Sequence, residues 1–331
     1  NNFNVAGTGI LPLIPDYTSN KLGFFIMATK RKQKLNFELG GRYDFLDQRV
    51  ATITRGIVKE IKRYNNNVTN IGLAGGAKYI FSNKLNLSYN FGYASRNPGI
   101  NELYSFGLHQ GVSGIEEGDP NLIREEALKN TLSVAGKISS KIIYEILYYD
   151  QAVENYIFLN PQNQFRTTIR GSYPVFKYTQ TRARILGLDF TAAFLFTERI
   201  NASLKASYLK GTDTQNNIPL IYLPSNNLFL TFNYQVPRVG KWNQITFEIN
   251  NKYIFEQKNI LLEQDYARPP KGYNLLGIKI SGERQLGVQR LNTFLRIDNL
   301  FNISYRDYLN RLRYFADDLG INVIIGLNFN F

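Results

Sequence analysis

Cysteine is absent from the 331-residue sequence. Disulfides, thiolate metal sites and cysteine nucleophiles are therefore excluded. Histidine occurs once, at His109, which removes most hydrolytic triads and any two-histidine metal site built from this chain alone. Long apolar runs are also missing, and none approaches the ~18 consecutive residues that a spanning helix requires. A helical membrane protein is thus excluded. A membrane-crossing strand is not, because it needs only ~10 residues, half of them polar. Enzyme signatures are lacking too: there is no phosphate-binding glycine loop and no nucleophile motif. The carboxylate pairs Glu116-Glu117 and Asp317-Asp318 fall in loops, with no apolar pocket to raise a pKa. No catalytic residue and no cofactor is expected. The opening Asn1-Asn2-Phe3-Asn4 has neither Met nor a signal peptide, so a processed chain or part of a longer one is expected.

Aromatics and cations are abundant. The chain has 22 Tyr and 23 Phe and a net charge of +13. A positive excess implies an anionic partner or surface. The Lys and Arg residues are spread over turns and alternate strand positions instead of lining one groove, which disfavours nucleic acid. Lipopolysaccharide phosphate is the other anionic candidate.

A period of two runs through the sequence. Leu85, Leu87, Tyr89, Phe91 and Tyr93 interleave with Asn86, Ser88, Asn90 and Gly92. Ile245, Phe247 and Ile249 interleave with Thr246 and Glu248. Val323, Ile325, Leu327, Phe329 and Phe331 do the same at the C-terminus. Each such segment has one apolar and one polar face. We count about thirteen strands, centred near 21–30, 35–45, 69–81, 85–93, 127–138, 141–150, 183–196, 200–208, 226–235, 245–255, 273–283, 289–299 and 319–331.

Their connections alternate in length. Short ones fall at 31–34, 82–84, 139–141, 197–199, 237–241 and 284–287. Long ones fall near 51–66, 97–124, 151–175, 209–224, 256–272 and 300–318. An up-and-down sheet with tight turns at one end and large loops at the other gives this pattern, as outer-membrane barrels do. A soluble sandwich would scatter its loop lengths through Greek-key connections. The fold expected is all-β, an antiparallel up-and-down transmembrane β-barrel with its C-terminus periplasmic. Counting back from Phe331 puts residues 1–19 in an external loop. An odd strand count leaves two edges unsatisfied in lipid, at several kcal/mol per unpaired group. Residues 1–331 are therefore expected to be the C-terminal portion of a larger barrel, with Phe331 closing against a strand outside this chain. The polar faces suit a wide or plugged lumen, and Tyr and Phe near strand ends suit interfacial girdles.

The long loop after the 85–93 strand carries Arg96-Asn97-Pro98, then Glu102-Leu103-Tyr104, then Gly118-Asp119-Pro120-Asn121-Leu122 and Glu125-Glu126. Further on come Leu186-Gly187-Leu188-Asp189, Ile297-Asp298-Asn299-Leu300-Phe301-Asn302, and Gly320 before the last strand. Near the start is Leu13-Ile14-Pro15-Asp16-Tyr17. In this order the set resembles the signature of TonB-dependent outer-membrane receptors. The resemblance spans nearly the whole chain, although Asp189 stands where that family usually has Glu. It implies a barrel of about 22 strands around an N-terminal plug, in the bacterial outer membrane. It also implies energy from a TonB complex that acts on a region ahead of the plug. This chain would supply the last thirteen or so strands; its other partners would be its own plug and early strands, membrane lipid and a small metal-chelate substrate. Active import of an iron chelate or another metal complex is the function implied. A passive channel, or a structural or assembly barrel that binds a protein or oligosaccharide, is the alternative.

Within the family, Glu102-Leu103-Tyr104-x-x-Gly107-x-His109 resembles the branch that handles transition metals or their chelates. The second histidine of that branch, in the last loop, is replaced here by Tyr308. The candidate substrate-binding residues are Tyr104, His109, Glu116, Glu117, Tyr308, Arg311 and Arg313, with His109 the candidate metal ligand. The last-loop cluster of Arg306, Arg311, Arg313, Tyr308 and Tyr314 would suit an anionic chelate. Arg96, Pro98, Glu102, Gly118, Asp119, Pro120 and Phe331 are motif positions. For these, local turn chemistry and an Arg96–Glu102 ion pair offer a structural reading.

Overall fold

The computed structural model describes residues 13–53 and 60–329 in full, and the backbone alone at 2–4 and 330. In chain order the strands begin with β1 (Asn2–Asn4), β2 (Asp16–Lys32), β3 (Leu35–Ile53), β4 (Ile61–Ser82) and β5 (Leu85–Arg96). A one-turn helix α1 (Ile100–Tyr104) then leads to β6 (Phe106–His109), β7 (Gly114–Glu117), β8 (Glu125–Ser139) and β9 (Ile142–Thr168). Next come β10 (Gly171–Leu195), β11 (Ile200–Asp213), β12 (Ile218–Pro219) and β13 (Asn227–Val239). The chain ends with β14 (Trp242–Ile254), β15 (Tyr273–Leu286), β16 (Gln289–Asp298) and β17 (Asn322–Asn330). Setting aside the short β1, β6, β7 and β12, thirteen strands form the wall, the number that the periodicity predicts.

Each wall strand pairs antiparallel with the next, from β2 to β17. The registers align the apolar residues of neighbouring strands. Phe24 faces Tyr43, which faces Ile71. Leu132 faces Tyr148, which faces Leu188, which faces Tyr208. Phe232 faces Ile249, and Ile280 faces Leu295, which faces Ile325. All of these residues are exposed, Ile71 the least at 37 %. The outcome is one greasy belt on a single face of the sheet. Water would not tolerate so large a patch, whereas lipid requires it. The other face carries polar groups such as the Ser133–Glu145 hydrogen bond of 3.0 Å and Lys129 over the Tyr149 ring at 4.5 Å. The same Tyr149 ring covers Gly187, where an added Cβ would lie 2.0 Å from it. This explains the glycine in the 186–189 motif.

Tight turns and long excursions alternate along the wall as expected, but two of the excursions are not irregular. The β9–β10 ladder continues to Thr168↔Gly171, so 151–175 is a protruding hairpin. The β3–β4 ladder reaches Ile53↔Ile61, with residues 54–59 outside the described residues. Beyond lipid, backbone pairing persists without an apolar outer face, so the period of two fades while the strands continue. The first external loop needs a similar correction. β2 already begins at Asp16, and β1 pairs with Tyr17–Ser19. Among the described residues, β17 pairs with β16 alone, and β2 with β3 and the short β1. The sheet is open at those two edges. Phe331 lies outside the described residues.

Candidate functional site

The motif positions brace the loop end of the wall. Arg96, the last residue of β5, holds Glu102 at 2.8 Å and Glu125 at 2.9 Å. Glu102 also accepts the Gly99 N–H at 2.6 Å, fixing the entry to α1. Glu125 accepts the Ile157 N–H of β9 at 2.8 Å. Pro98 is buried beside this pair. The Gly118 N–H donates to the Ser105 carbonyl at 2.7 Å, and a Cβ there would meet the Leu103 backbone at 2.5 Å, so only glycine allows this approach. Asp119 accepts the Asn121 N–H at 3.0 Å through an exposed turn at Pro120-Asn121. The Arg96–Glu102 pair and the local turn are both present, as the structural reading predicts. Leu13, at the head of the N-terminal motif, accepts the Phe106 N–H at 3.0 Å and so joins the same brace.

A second set of contacts ties the excursions to one another. The β6–β7 hairpin lies along β10, with Ile115, Glu116 and Glu117 parallel to Val175, Phe176 and Lys177. Glu116, 5 % exposed at its side chain, accepts from Arg311 of the last loop at 2.6 Å and lies 2.9 Å from His109 Nδ1. Arg311 also lies over the Phe176 ring at 5.4 Å. Glu117 accepts from Arg166 of the β9–β10 hairpin at 2.7 Å.

At the centre of these contacts is Asp265. Its side chain is 0 % exposed and pairs with Arg313, 2 % exposed. Asp265 also accepts from the Tyr314 hydroxyl, which lies 2.9 Å from the Tyr222 hydroxyl. The Arg313 guanidinium sits over the Tyr308 and Tyr314 rings at 4.9 and 4.6 Å. Next to Asp265, the Tyr266 hydroxyl donates to the Val175 carbonyl at 2.5 Å and accepts the Val175 N–H at 3.0 Å. Burial raises the Tyr308 hydroxyl pKa to about 12. It pushes Tyr314 and Tyr222 higher still, with a further rise for Tyr314 from the Asp265 carboxylate and for Tyr222 from Tyr314. Tyr222 adopts a left-handed backbone with φ of 57°, an unfavourable conformation for a bulky residue that the surrounding contacts hold in place.

The expected residues therefore divide into two groups. Tyr308 and Arg313 are buried in the brace. Tyr104 stacks on Tyr64 at 4.9 Å and stays partly open, and His109 keeps 42 % of its side chain exposed. Arg311 and Glu116 bind one another, and Glu117 binds Arg166. Among the described residues no group of three or more His, Asp and Glu side chains is placed to hold a metal ion. Sequence reasoning misses Asp265, Tyr266, Tyr222 and Phe176, which lie in unpatterned loops or at a bulge and acquire their roles only from contacts distant in sequence.

No curated protein matches the chain in sequence. Solved structures match its fold. A structure titled copper transporter OprC aligns with a TM-score of 0.70 at 17% identity, covering 95% of this chain and 49% of its own. The FrpB iron transporter from Neisseria meningitidis (F3-3 variant) aligns with a TM-score of 0.62 at 16% identity, covering 95% and 46%. BauA, the ferric preacinetobactin receptor from Acinetobacter baumannii, aligns with a TM-score of 0.63 at 13% identity, covering 96% and 44%. The chain thus spans about half the length of these structures. The profile of the family described as "TonB dependent receptor-like, beta-barrel" matches residues 1–300, and the chain belongs to that family.

Proposed function

We propose that this chain is the C-terminal part of the barrel of an outer-membrane receptor that imports a metal chelate with energy coupled through TonB. A complete barrel of about 22 strands would supply the partners for the open edges of β2 and β17. The tight-turn end, with the C-terminus, would face the periplasm. The observation that carries the reading is the braced loop end on a wall with a greasy outer and a polar inner face. Four excursions meet there through Glu116–Arg311, Glu117–Arg166, Asp265–Arg313 and Tyr266–Val175. Such loops can capture a solute outside while the wall stays rigid. Among the described residues, groups that stay open to a ligand include His109, Tyr104 and the outer part of Arg166, an imidazole, a phenol and a cation. Together with the net charge of +13, they favour an anionic, aromatic-tolerant chelate over a bare cation. Glu116 is already neutralised by Arg311, which also argues for a metal that arrives inside its own chelator, with His109 as a contact. Growth and uptake of a deletion strain on defined iron, copper, zinc and haem sources, each as free ion and as chelate, tests the reading. Loss of uptake confined to one chelate is expected. Unchanged uptake of every metal source would overturn it.

A further inference from the structure

The outer wall has a notch at the level where the greasy belt ends. β11 continues to Asp213, but β13 begins only at Asn227, so their ladder stops at Ser207↔Asn227. Above that point β11 is held by β12 and its flanks, through Thr212↔Pro219 and the Leu220 N–H to the Gly211 carbonyl, and a groove of about 850 Å³ opens between β11 and the end of β14. Leu188, Tyr208, Leu228, Tyr253 and Phe255 line it. Leu188, Tyr208 and Tyr253 lie on the belt face, each in register with a belt neighbour, and are 46, 51 and 38 % exposed. The upper rim carries Lys210 and Lys258, both exposed. Neither forms a salt bridge with a described residue, whereas the nearby Arg184 is already paired with Asp150 at 2.7 Å. Glu256 also lines the rim, which leaves it net positive.

The groove is therefore apolar where it would lie in hydrocarbon and cationic where head groups would lie. A water-soluble anion would not cover its floor, and an uncharged lipid would leave both lysines without a counter-ion. Aromatic side chains at this level place an apolar ring against acyl chain and a polar tip towards the head group. We infer that the notch seats one molecule of lipopolysaccharide, with an acyl chain over Tyr208 and Tyr253 and its phosphates at Lys210 and Lys258. The inference rests on the transmembrane reading of this chain and goes beyond it by assigning a specific lipid site. Such a seat would lie on the outer wall, away from the loop end where substrate would bind.

The test uses the receptor containing this chain, extracted from outer membranes in mild detergent. Native mass spectrometry reads the lipopolysaccharide it retains. Wild type should retain it, and Lys210→Glu/Lys258→Glu should retain at least tenfold less. Lys205→Glu makes the same charge change on the other face of β11 and should retain as much as wild type. The milder Lys210→Gln/Lys258→Gln pair should also lose most of it, which covers impaired assembly of the charge-reversed pair. Equal retention in wild type and the Lys210/Lys258 variants would overturn the site, as would equal loss in Lys205→Glu. In nanodiscs, lysine-dependent thermal protection by added lipopolysaccharide but not by phosphatidylglycerol supports the assignment; equal protection by both overturns it. Heat-modifiable electrophoretic migration separates the two levels of failure. A wild type without that shift refutes the transmembrane barrel itself, while a shifted barrel that retains no lipopolysaccharide refutes only the notch.

Discussion

Asp265 and Arg313 provide the sharpest quantitative test of the loop brace. Their side chains are 0 % and 2 % exposed, and they join the loop after β14 to the loop after β16. Replacing Asp265 with Asn, or Arg313 with Met, leaves the opposite charge buried without a partner. The cost of breaking one side of such a pair is about 3–5 kcal/mol. Replacing both removes the two charges together and leaves a methionine under the Tyr308 and Tyr314 rings. The loss should then be much smaller, since buried pairs exchanged for packed apolar groups are close to neutral. The quantity to measure is the local opening of residues 256–272 and 300–318 by hydrogen exchange, because loops open independently of a barrel wall. A loss of about 3–5 kcal/mol speeds exchange there by roughly two to three and a half powers of ten. Amides of β13 to β16 should be unaffected. The double variant should fall well short of the sum of the singles, which is the mark of direct coupling. If each single substitution changes loop exchange less than tenfold, or if the two effects simply add, the pair is not what holds these loops together.

Three other outcomes follow from the same structure. Phe232→Arg puts a charge in the middle of the greasy belt and should cost about 2–4 kcal/mol; normal heat-modifiable migration and wild-type stability in a urea titration would show that this face does not meet lipid. His109→Ala should weaken chelate uptake several-fold and leave the brace intact, because Arg311 alone still neutralises Glu116; unchanged uptake would remove His109 from the binding surface. Tyr222, Tyr308 and Tyr314 have folded-state pKa values raised by burial. Their contribution is therefore fully present below the free tyrosine pKa of ~10 and is lost as pH rises through the folded values above it. Near-ultraviolet titration should show at least these three tyrosines ionising late, with loop exchange rising in the same alkaline window; a single transition near ~10 would contradict the burial argument.

The wall was legible because lipid imposes one rule on every strand that crosses it. Leu230, Phe232 and Tyr234 must face outward together, so each strand reports itself without knowledge of its partner. Past the membrane the rule lapses, and the reading fails at that point. Residues 151–175 hold Pro161 and Pro174, which propensity sets against a strand. Pro174 lies at a register shift, where the ladder already yields, and Pro161 stands opposite Phe176. Asn155 and Asn163 take positive φ at 56° and 52°, a conformation asparagine tolerates better than most residues. The hairpin persists on backbone pairing that leaves little mark in the pattern of side chains.

The loop site shows a second limit. Arg96, Glu102, Glu125 and Gly118 are the most recognisable residues of the chain, yet their polar groups or their missing Cβ are all used in holding one another. A motif built this way identifies the scaffold but leaves few groups free to contact a ligand. Asp265, which braces the loop end, carries no local signal because its partner Arg313 lies 48 residues away, and Arg313, expected at the ligand, is used up in the brace. Under the proposed function, specificity would then fall to side chains that stay open at the mouth, among them His109 and Tyr104. These make few contacts that a neighbour depends on, so they can be exchanged without unfolding anything. Variation at such positions would retarget uptake while the brace and the wall stayed as they are, and it is there that substrate-switching substitutions should be sought first.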